Sequence, residues 1–244
     1  MVIVIDPQIA GISGDMLLSS LIDLGADKNE IINSIKKTEK FLSGSTIKKI
    51  DFQKTKKHGI ESTELILEID ENISKRKGIE IKKAILDSVN ELNLSIKAKT
   101  FAESCINTLI SSESKIHGIN EDSVHFHEAS SIDTLIDIVG VTIACENLKL
   151  FEKKIVCLPV SVGGGTVSFS HGTMSNPASA VLQIFKNSNL NIQGNNSREE
   201  LTTPTGACIL ANLTNNSIEY YPSMNITSIG YGAGQKDFEN FSNV

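Results

Sequence analysis

Tryptophan is absent from this 244-residue sequence and tyrosine occurs only three times, so a surface built on aromatic stacking of nucleic-acid bases is not expected. Basic charge is also scarce, since 23 Lys and Arg face 29 Asp and Glu and the net charge is -6. Proteins that bind nucleic acids or anionic membranes usually carry a basic stripe. The composition therefore argues against both kinds of partner.

Long apolar runs and an export signal are missing as well. No stretch approaches the roughly 20 apolar residues that span a bilayer, and residues 1–5 form an apolar strand with no basic region before it, unlike a signal peptide. The four cysteines stand far apart, with no CxxC pair. We therefore expect a cytoplasmic protein whose cysteines are reduced and mostly buried.

Hydrophobic periodicity predicts an α+β (α/β) fold of mixed sheets and packed helices. A strand–helix–helix–strand–strand unit opens the chain, with strands at 2–5, 47–56 and 61–69 and helices at 16–24 and 28–37. Further helices are expected at 79–92, 96–117, 131–148, 177–186 and 204–213, and further strands at 124–127, 153–168 and 218–229. A polar connection at 75–78 suggests a sheet subdomain over 1–72 and a helical and α/β region over 73–244, with a single domain as the alternative.

The histidines stand in short motifs. His125 and His127 alternate with Phe126 on an extended segment, so both imidazoles project to one face about 7 Å apart and reach a single ion or substrate. Neutral imidazole suits Ni, Zn, Cu and Fe, although two ordinary strand histidines are the alternative. The remaining histidines each precede a glycine, which is explained equally by turn chemistry and by a place at a cleft: His58, His117 and His171.

Two carboxylates follow on an apolar helix. Asp133 and Asp137 are four residues apart and therefore share a helix face. Carboxylates in such a helix either face solvent or orient a nearby histidine. Because Ser130 and Asp133 also fit a capping box, Asp137 is the stronger functional candidate.

Three glycine-containing turns precede helices or interrupt strands. Backbone amides at a helix start form an anion site, although Asp15 is explained equally by the helix dipole. Consecutive glycines in a strand region are expected where the backbone approaches a ligand or another backbone, and Thr203-Pro204 is an N-cap followed by proline at N1. Together the turns suggest a small phosphorylated or anionic ligand, with these candidate binding residues: Gly11, Ser13, Gly14, Gly163, Gly164, Gly165, Thr203, Thr205 and Gly206.

These motifs, taken together, resemble the LarC family of nickel insertion proteins, which complete the nickel-pincer cofactor of lactate racemase. The motifs follow the family order over nearly the whole chain: Gly11-Ile12-Ser13-Gly14-Asp15-Met16, His58-Gly59, His117-Gly118, His125-Phe126-His127-Glu128, Asp133, Asp137-Ile138-Val139-Gly140, Leu158-Pro159-Val160, His171-Gly172 and Thr203-Pro204-Thr205-Gly206-Ala207.

The resemblance implies a nickel cyclometallase. Members insert nickel into pyridinium-3,5-bisthiocarboxylic acid mononucleotide, forming one Ni–C and two Ni–S bonds while CTP is hydrolysed, which implies Mg or Mn with the CTP. On this hypothesis His125 and His127 deliver nickel, with His58, His117 and His171 as further metal candidates. Glu128, Asp137 and Asp15 are the candidate catalytic residues, which orient the histidines or take the ring proton. The product would pass to a racemase or epimerase.

The sequence also departs from the family pattern. No histidine-rich insertion lies around residues 71–80, and Pro7 stands where relatives often carry Cys. Relatives usually continue past the region 230–234 into a CTP-binding domain, so we expect CTP to bind outside this chain. Two alternatives follow from the same residues: a nickel-binding carrier without turnover of its own, and a divalent-metal-dependent phosphoester hydrolase.

Overall fold

The computed structural model describes residues 1–73, 75–126, 131–169, 172–214 and 216–244. These residues form seven α-helices: α1 (Gly14–Asp23), α2 (Lys28–Thr38), α3 (Gly78–Glu91), α4 (Ile96–His117), α5 (Ser131–Asn147), α6 (Ser179–Lys186) and α7 (Pro204–Leu213). They also form twelve strands: β1 (Val2–Ile5), β2 (Ser45–Lys57), β3 (Ile60–Glu71), β4 (Arg76–Lys77), β5 (His125–Phe126), β6 (Lys154–Cys157), β7 (Val160–Val162), β8 (Thr166–Phe169), β9 (Gly172–Ser175), β10 (Ile192–Gly194), β11 (Asn216–Ser217) and β12 (Gly232–Ala233). This mixture of helices and mixed sheets confirms the predicted α+β fold.

Strand pairing is distributed over several small sheets. β1 pairs in parallel with β6, whose other edge pairs in parallel with β11. β2 and β3 form a long antiparallel hairpin around the predicted turn at His58-Gly59, and β12 extends this hairpin in parallel beside β3. The predicted N-terminal unit is therefore divided between two sheets, because β1 pairs with a strand from the middle of the chain and not with the hairpin.

Helix α5 forms the centre of the core. Its apolar side chains are buried, and Leu135, Ile136 and Val139 expose none of their surface. Helices α1, α2, α3, α4 and α7 all pack against it. A helix that is apolar on nearly every side is stable only when neighbours surround it, and each buried Leu or Ile contributes about 1.5–3 kcal/mol. Contacts with α5 therefore hold the surrounding helices in place.

One cluster of buried side chains joins the two predicted regions of the chain. It includes Leu18 from α1 and Phe52 from the hairpin together with Leu135 from α5. The division at residue 72 stays a prediction. The four cysteines are buried and form no disulfide, as predicted, and no helix within the described ranges is long and apolar enough to cross a membrane.

Capping residues explain several helix boundaries. Asp27 Oδ1 accepts hydrogen bonds from the amides of Asn29 and Glu30, at 2.9 and 3.0 Å, at the start of α2. At the C-terminal end of α4, Gly118 takes the left-handed conformation with φ of 63°. The His117-Gly118 pair therefore ends the helix as the sequence predicts.

Two predictions about the path of the chain are wrong. The structure describes all of residues 218–229, the predicted strand, and they are irregular. Most of their large apolar side chains, including Tyr220 and Ile226, are exposed and belong to no buried sheet face. The predicted polar connection at 75–78 contains β4, in which Arg76 is buried and donates a 2.9 Å hydrogen bond to Ser45 Oγ.

Glycines allow the segment from 230 to 234 to lie directly on α1. A Cβ on Gly232 would overlap the carbonyl oxygen of Met16, and one on Gly230 would overlap that of Ser20. The Thr63 amide donates a 2.9 Å hydrogen bond to the Tyr231 carbonyl and joins the segment to β3. The C-terminal segment, residues 235–244, therefore begins beside α1.

We expect Gly232→Ala to lower the free energy of unfolding by about 2–3 kcal/mol, because the added methyl group meets helix backbone that cannot move aside. Gly194→Ala is the matched control, since a Cβ there meets nothing within 4 Å, and its effect should stay within about 0.5 kcal/mol. Urea unfolding followed by circular dichroism measures both. Equal stabilities of the two variants would contradict this packing.

Candidate functional site

A cleft of about 1030 Å³ opens where the N-terminal ends of four helices meet. Residues at the starts of α1, α5, α6 and α7 supply polar groups to its lining, including Ser13, Asp133, Ser179 and Thr203. Apolar side chains from β3, α4, β5, β9 and the C-terminal segment complete it: Leu65, Leu67, Leu109, Ile116, Phe126, Met174 and Phe238. The cleft thus combines helix starts, which favour anions, with apolar surface that suits a planar ring.

Backbone hydrogen bonds hold the starts of α1 and α7 side by side. The Ile12 amide donates to the Leu201 carbonyl, and the Thr203 amide donates to the Ile12 carbonyl, both at 3.0 Å. A Cβ on Gly206 would lie 2.5 Å from the Ile12 carbonyl oxygen, so only glycine permits this approach. Thr203 Oγ1 accepts from the Gly206 amide at 3.1 Å, which confirms the predicted N-cap.

The start of α1 also contacts the side chain of Asp137. A Cβ on Gly14 would overlap the Asp137 carboxyl group. Asp15 follows directly and accepts a hydrogen bond from the Ser13 hydroxyl. Asp15, Asp133 and Asp137 all border the cleft, so residues far apart in sequence place three carboxyl groups in one part of its lining.

The surrounding protein makes two of these carboxyl groups hard to ionise. Burial raises the pKa of Asp137 well above its ordinary value, and the charges of Asp15 and Asp133 raise it further. Burial also raises the pKa of Asp15, while the Ser13 hydrogen bond and the charge of Lys236 act in the opposite direction. Asp137 therefore holds its proton more firmly than Asp15 does.

The segment after β12 forms part of the cleft wall and brings a lysine to it. Gln235, Lys236 and Phe238 all border the cleft, and Lys236 Nζ lies 4.0 Å from a carboxylate oxygen of Glu200. Asn243 Nδ2 donates to the Lys236 carbonyl at 2.8 Å and closes this segment on itself. Sequence patterns do not point to Lys236, because no motif surrounds it and only the tertiary path brings it to the helix starts.

The histidines do not meet at one point in the described part of the chain. His117 borders the cleft and lies 3.4 Å from Glu113. His58 Nε2 bonds to the Phe238 carbonyl at 2.7 Å, so it supports the wall segment and does not face the cleft. His125 lies on β5 opposite Lys77, with a buried Nδ1 that has no hydrogen-bond partner there, while its neighbour Phe126 borders the cleft.

Three predicted site residues lie outside the described ranges: His127, Glu128 and His171. Ser130, invoked for the capping box, lies outside them as well. Among the residues that are described, no three or more His, Cys, Asp or Glu side chains are grouped as metal ligands. The predicted metal ligands and catalytic roles therefore stay proposals.

The residues predicted to bind an anion divide into two groups. Ser13, Thr203 and Thr205 border the cleft, and Gly11, Gly14 and Gly206 shape the backbone behind them. Gly163, Gly164 and Gly165 do not border it. A Cβ on Gly163 would overlap the Glu199 carbonyl oxygen, so here the close approach is to another backbone segment, one of the two reasons expected for consecutive glycines.

The fold and the cleft define a class of protein: an α+β protein with a cleft for a small ligand between apolar surface and helix starts, lined by carboxyl groups whose pKa values burial raises. Among known families, the one described as nickel insertion protein matches residues 3–244. The chain belongs to this nickel insertion protein family, which confirms the resemblance carried by its motifs.

Relatives with the same kind of name are similar to this chain over almost its full sequence. A putative nickel insertion protein of Methanosphaera stadtmanae is 37% identical over 246 residues, covering 98% of this chain and 58% of the relative. A pyridinium-3,5-bisthiocarboxylic acid mononucleotide nickel insertion protein of Staphylococcus epidermidis is 38% identical over 237 residues, covering 96% of this chain and 56% of the relative. The chain thus spans little more than half the length of these relatives. No solved structure matches it.

Replacing Asp137 by asparagine should change how stability depends on pH. A carboxyl group whose pKa is higher in the folded state stabilises the fold fully below its unfolded value of about 3.8 and loses that contribution as the pH rises through the folded value. The unfolding equilibrium constant of the wild type should therefore rise relative to that of Asp137→Asn by up to about tenfold per pH unit above 4.

Urea unfolding at intervals between pH 4 and pH 8 measures this difference. The exposed Asp122, changed to Asn, is the control, and its stability should stay parallel to the wild type across the range. A constant difference between Asp137→Asn and the wild type at every pH would show that Asp137 is not held in its neutral form.

Proposed function

We propose that this protein is a nickel cyclometallase that inserts nickel into pyridinium-3,5-bisthiocarboxylic acid mononucleotide. Membership of the nickel insertion family and the name of the Staphylococcus epidermidis relative support the proposal. The observation that carries it is the pair of carboxyl groups of Asp15 and Asp137, which lie where the start of α1 contacts α5, in a cleft large enough for a mononucleotide. Small-molecule sites commonly occupy about 300–1,000 Å³.

Formation of a nickel–carbon bond requires the ring carbon to lose its proton as the bond to nickel forms. Asp15 is the proposed proton acceptor, because burial raises its pKa and so makes it a stronger base, while the Ser13 hydrogen bond and the charge of Lys236 still favour its ionised form. Asp137 stays neutral and provides a hydrogen-bond donor beside it. Two carboxyl groups whose surroundings separate their pKa values are a common basis for dividing acid and base roles. Glu128 is the third candidate and precedes the first residue of α5 by three positions in the sequence.

The substrate phosphate fits the end of the cleft at the start of α7. Thr203 and Thr205 border the cleft there, the helix dipole favours negative charge, and Lys236 supplies a positive charge. The pyridinium ring fits the apolar surface that includes Phe126 and Phe238. A cationic ring is also attracted to aromatic faces and to the carboxylates of the lining.

Nickel is the second substrate, and histidine is the residue type best suited to carry it. His125 supports this role because its Nδ1 is buried and lacks a hydrogen-bond partner within the described residues, an arrangement that is costly unless a ligand completes it. His127 is proposed as its companion, and His117 as a ligand inside the cleft, with His171 and His58 as the weaker candidates of the same set.

CTP with Mg or Mn, a CTP-binding domain or separate chain, and a racemase or epimerase that receives the product complete the proposal, with the cytoplasm as its location. A nickel-binding carrier module without turnover is the second candidate, favoured by the buried His125 Nδ1, which has no hydrogen-bond partner among the described residues. A divalent-metal-dependent phosphoester hydrolase that uses the same histidine and aspartate residues is the third candidate.

Turnover tests the proposal directly. The chain is incubated with nickel, CTP, Mg²⁺ or Mn²⁺ and the bisthiocarboxylic acid mononucleotide, with and without the polypeptide that completes the relatives' length, and the nickel adduct is measured by mass spectrometry. Asp15→Asn should lower the rate at least about 100-fold, as expected for loss of a general base, whereas Asp122→Asn should not change it.

Absence of the nickel adduct in every mixture would contradict the cyclometallase proposal. Adduct formation by the chain alone would exclude the carrier alternative, and phosphoester hydrolysis without adduct would favour the hydrolase. An unchanged rate in Asp15→Asn would remove Asp15 from the proton-transfer step.

Nickel binding tests the histidine assignment separately. Equilibrium dialysis of the double variant His125→Ala, His127→Ala should show at least about tenfold weaker nickel binding than the wild type, since both proposed donors are gone. Asp122→Asn serves as the comparison and should retain nickel affinity, because that exposed side chain is not among the proposed ligands. Unchanged affinity in the double variant would contradict delivery by these two residues.

A further inference from the structure

One buried hydroxyl at the cleft has no hydrogen-bond partner. Thr134 lies in the first turn of α5 and borders the cleft, yet the residue exposes none of its surface to solvent. Within the described residues its Oγ1 donates to and accepts from no other group. A buried polar group left without a partner costs about 1–3 kcal/mol, so a native hydroxyl in this state requires a reason.

A second threonine of the same helix shows the usual solution. Thr142 is equally buried, and its Oγ1 donates a 2.6 Å hydrogen bond to the Ile138 carbonyl four residues earlier. Thr142 does not border the cleft. The contrast within one helix singles out the threonine beside the cleft, where a bound ligand would supply an acceptor.

The groups beside Thr134 favour a singly charged acceptor. Asp137 lies one turn further along α5 and borders the same cleft, and in its neutral form it donates a hydrogen bond. Asp133 precedes Thr134 and also borders the cleft. Its carboxyl group would disfavour a phosphate dianion here, whereas a phosphate finds a lysine and the start of α7 elsewhere in the lining.

We propose that Thr134 is a specificity-determining residue whose hydroxyl donates a hydrogen bond to a thiocarboxylate of the pyridinium nucleotide, while the phosphate of that ligand binds near Lys236. The inference rests on the proposed function for the class of ligand. It adds an orientation: the acid-bearing edge of the ring points toward α5, and the ribose phosphate points toward α7 and the C-terminal segment.

Two probes separate the ends of the ligand. Nicotinic acid mononucleotide carries a pyridinium ring, a phosphate and one carboxylate in place of a thiocarboxylate, and ribose 5-phosphate carries the phosphate without the ring acid. Isothermal titration calorimetry at pH 7 measures the binding of each probe to the wild type and to three variants of α5: Thr134→Val, Thr134→Ser and Thr142→Val.

Thr134→Val should weaken nicotinic acid mononucleotide binding at least about tenfold, as expected for a lost hydrogen bond to a charged group, and change ribose 5-phosphate binding less than about twofold. Thr134→Ser keeps the hydroxyl and should bind both probes within about threefold of the wild type. Thr142→Val should alter neither. Lys236→Ala should weaken the binding of both probes, because both contain the phosphate.

Equal weakening of both probes by Thr134→Val, no weakening of either, or failure of the wild type to bind nicotinic acid mononucleotide would overturn the proposal. If Thr134→Ser lost as much affinity for nicotinic acid mononucleotide as Thr134→Val, the proposal would also be overturned, because the loss would then reflect packing and not the hydroxyl. The expected binding pattern in a protein that forms no nickel adduct would sustain the inference about Thr134 while the cyclometallase proposal fails.

Discussion

The contact between the backbone of Gly14 and the carboxyl group of Asp137 determines the arrangement of the cleft. No side chain other than hydrogen fits at position 14, so α1 begins directly against α5. This contact places Asp15 beside Asp137 and withdraws both from water, which raises the pKa of each. The acid–base character of the site is thus a consequence of how closely two helices approach.

The start of α7 also lies close to the start of α1. Its start is hydrogen-bonded to the loop before α1, and Gly206 leaves room for that loop. Because α5 is apolar on nearly every side, these helices pack around it and their N-terminal ends gather on one side of the molecule. The positive ends of several helix dipoles therefore face the space that holds the carboxyl groups, and a ligand with both cationic and anionic parts suits such a mixture.

Several site residues could be predicted because their signals are local. Thr203 reads as an N-cap from its neighbours alone, and Asp137 is conspicuous as a carboxylate on an apolar helix. Other signals were ambiguous for physical reasons. A glycine required by an approaching backbone, as at Gly163, looks the same in sequence as a glycine required by a ligand, and His58 has the pattern of a cleft residue although it bonds to the wall segment.

By itself the sequence determined the class of fold, most helix and strand positions and the family, because periodicity, capping and turn chemistry act over a few residues and family motifs are contiguous. Only the tertiary structure decided which motifs meet. It paired β1 with β6, left 218–229 irregular, and brought Lys236 and Thr134 to one cleft. Such meetings depend on the packing of elements more than a hundred residues apart around α5, and no local pattern of residues encodes that packing.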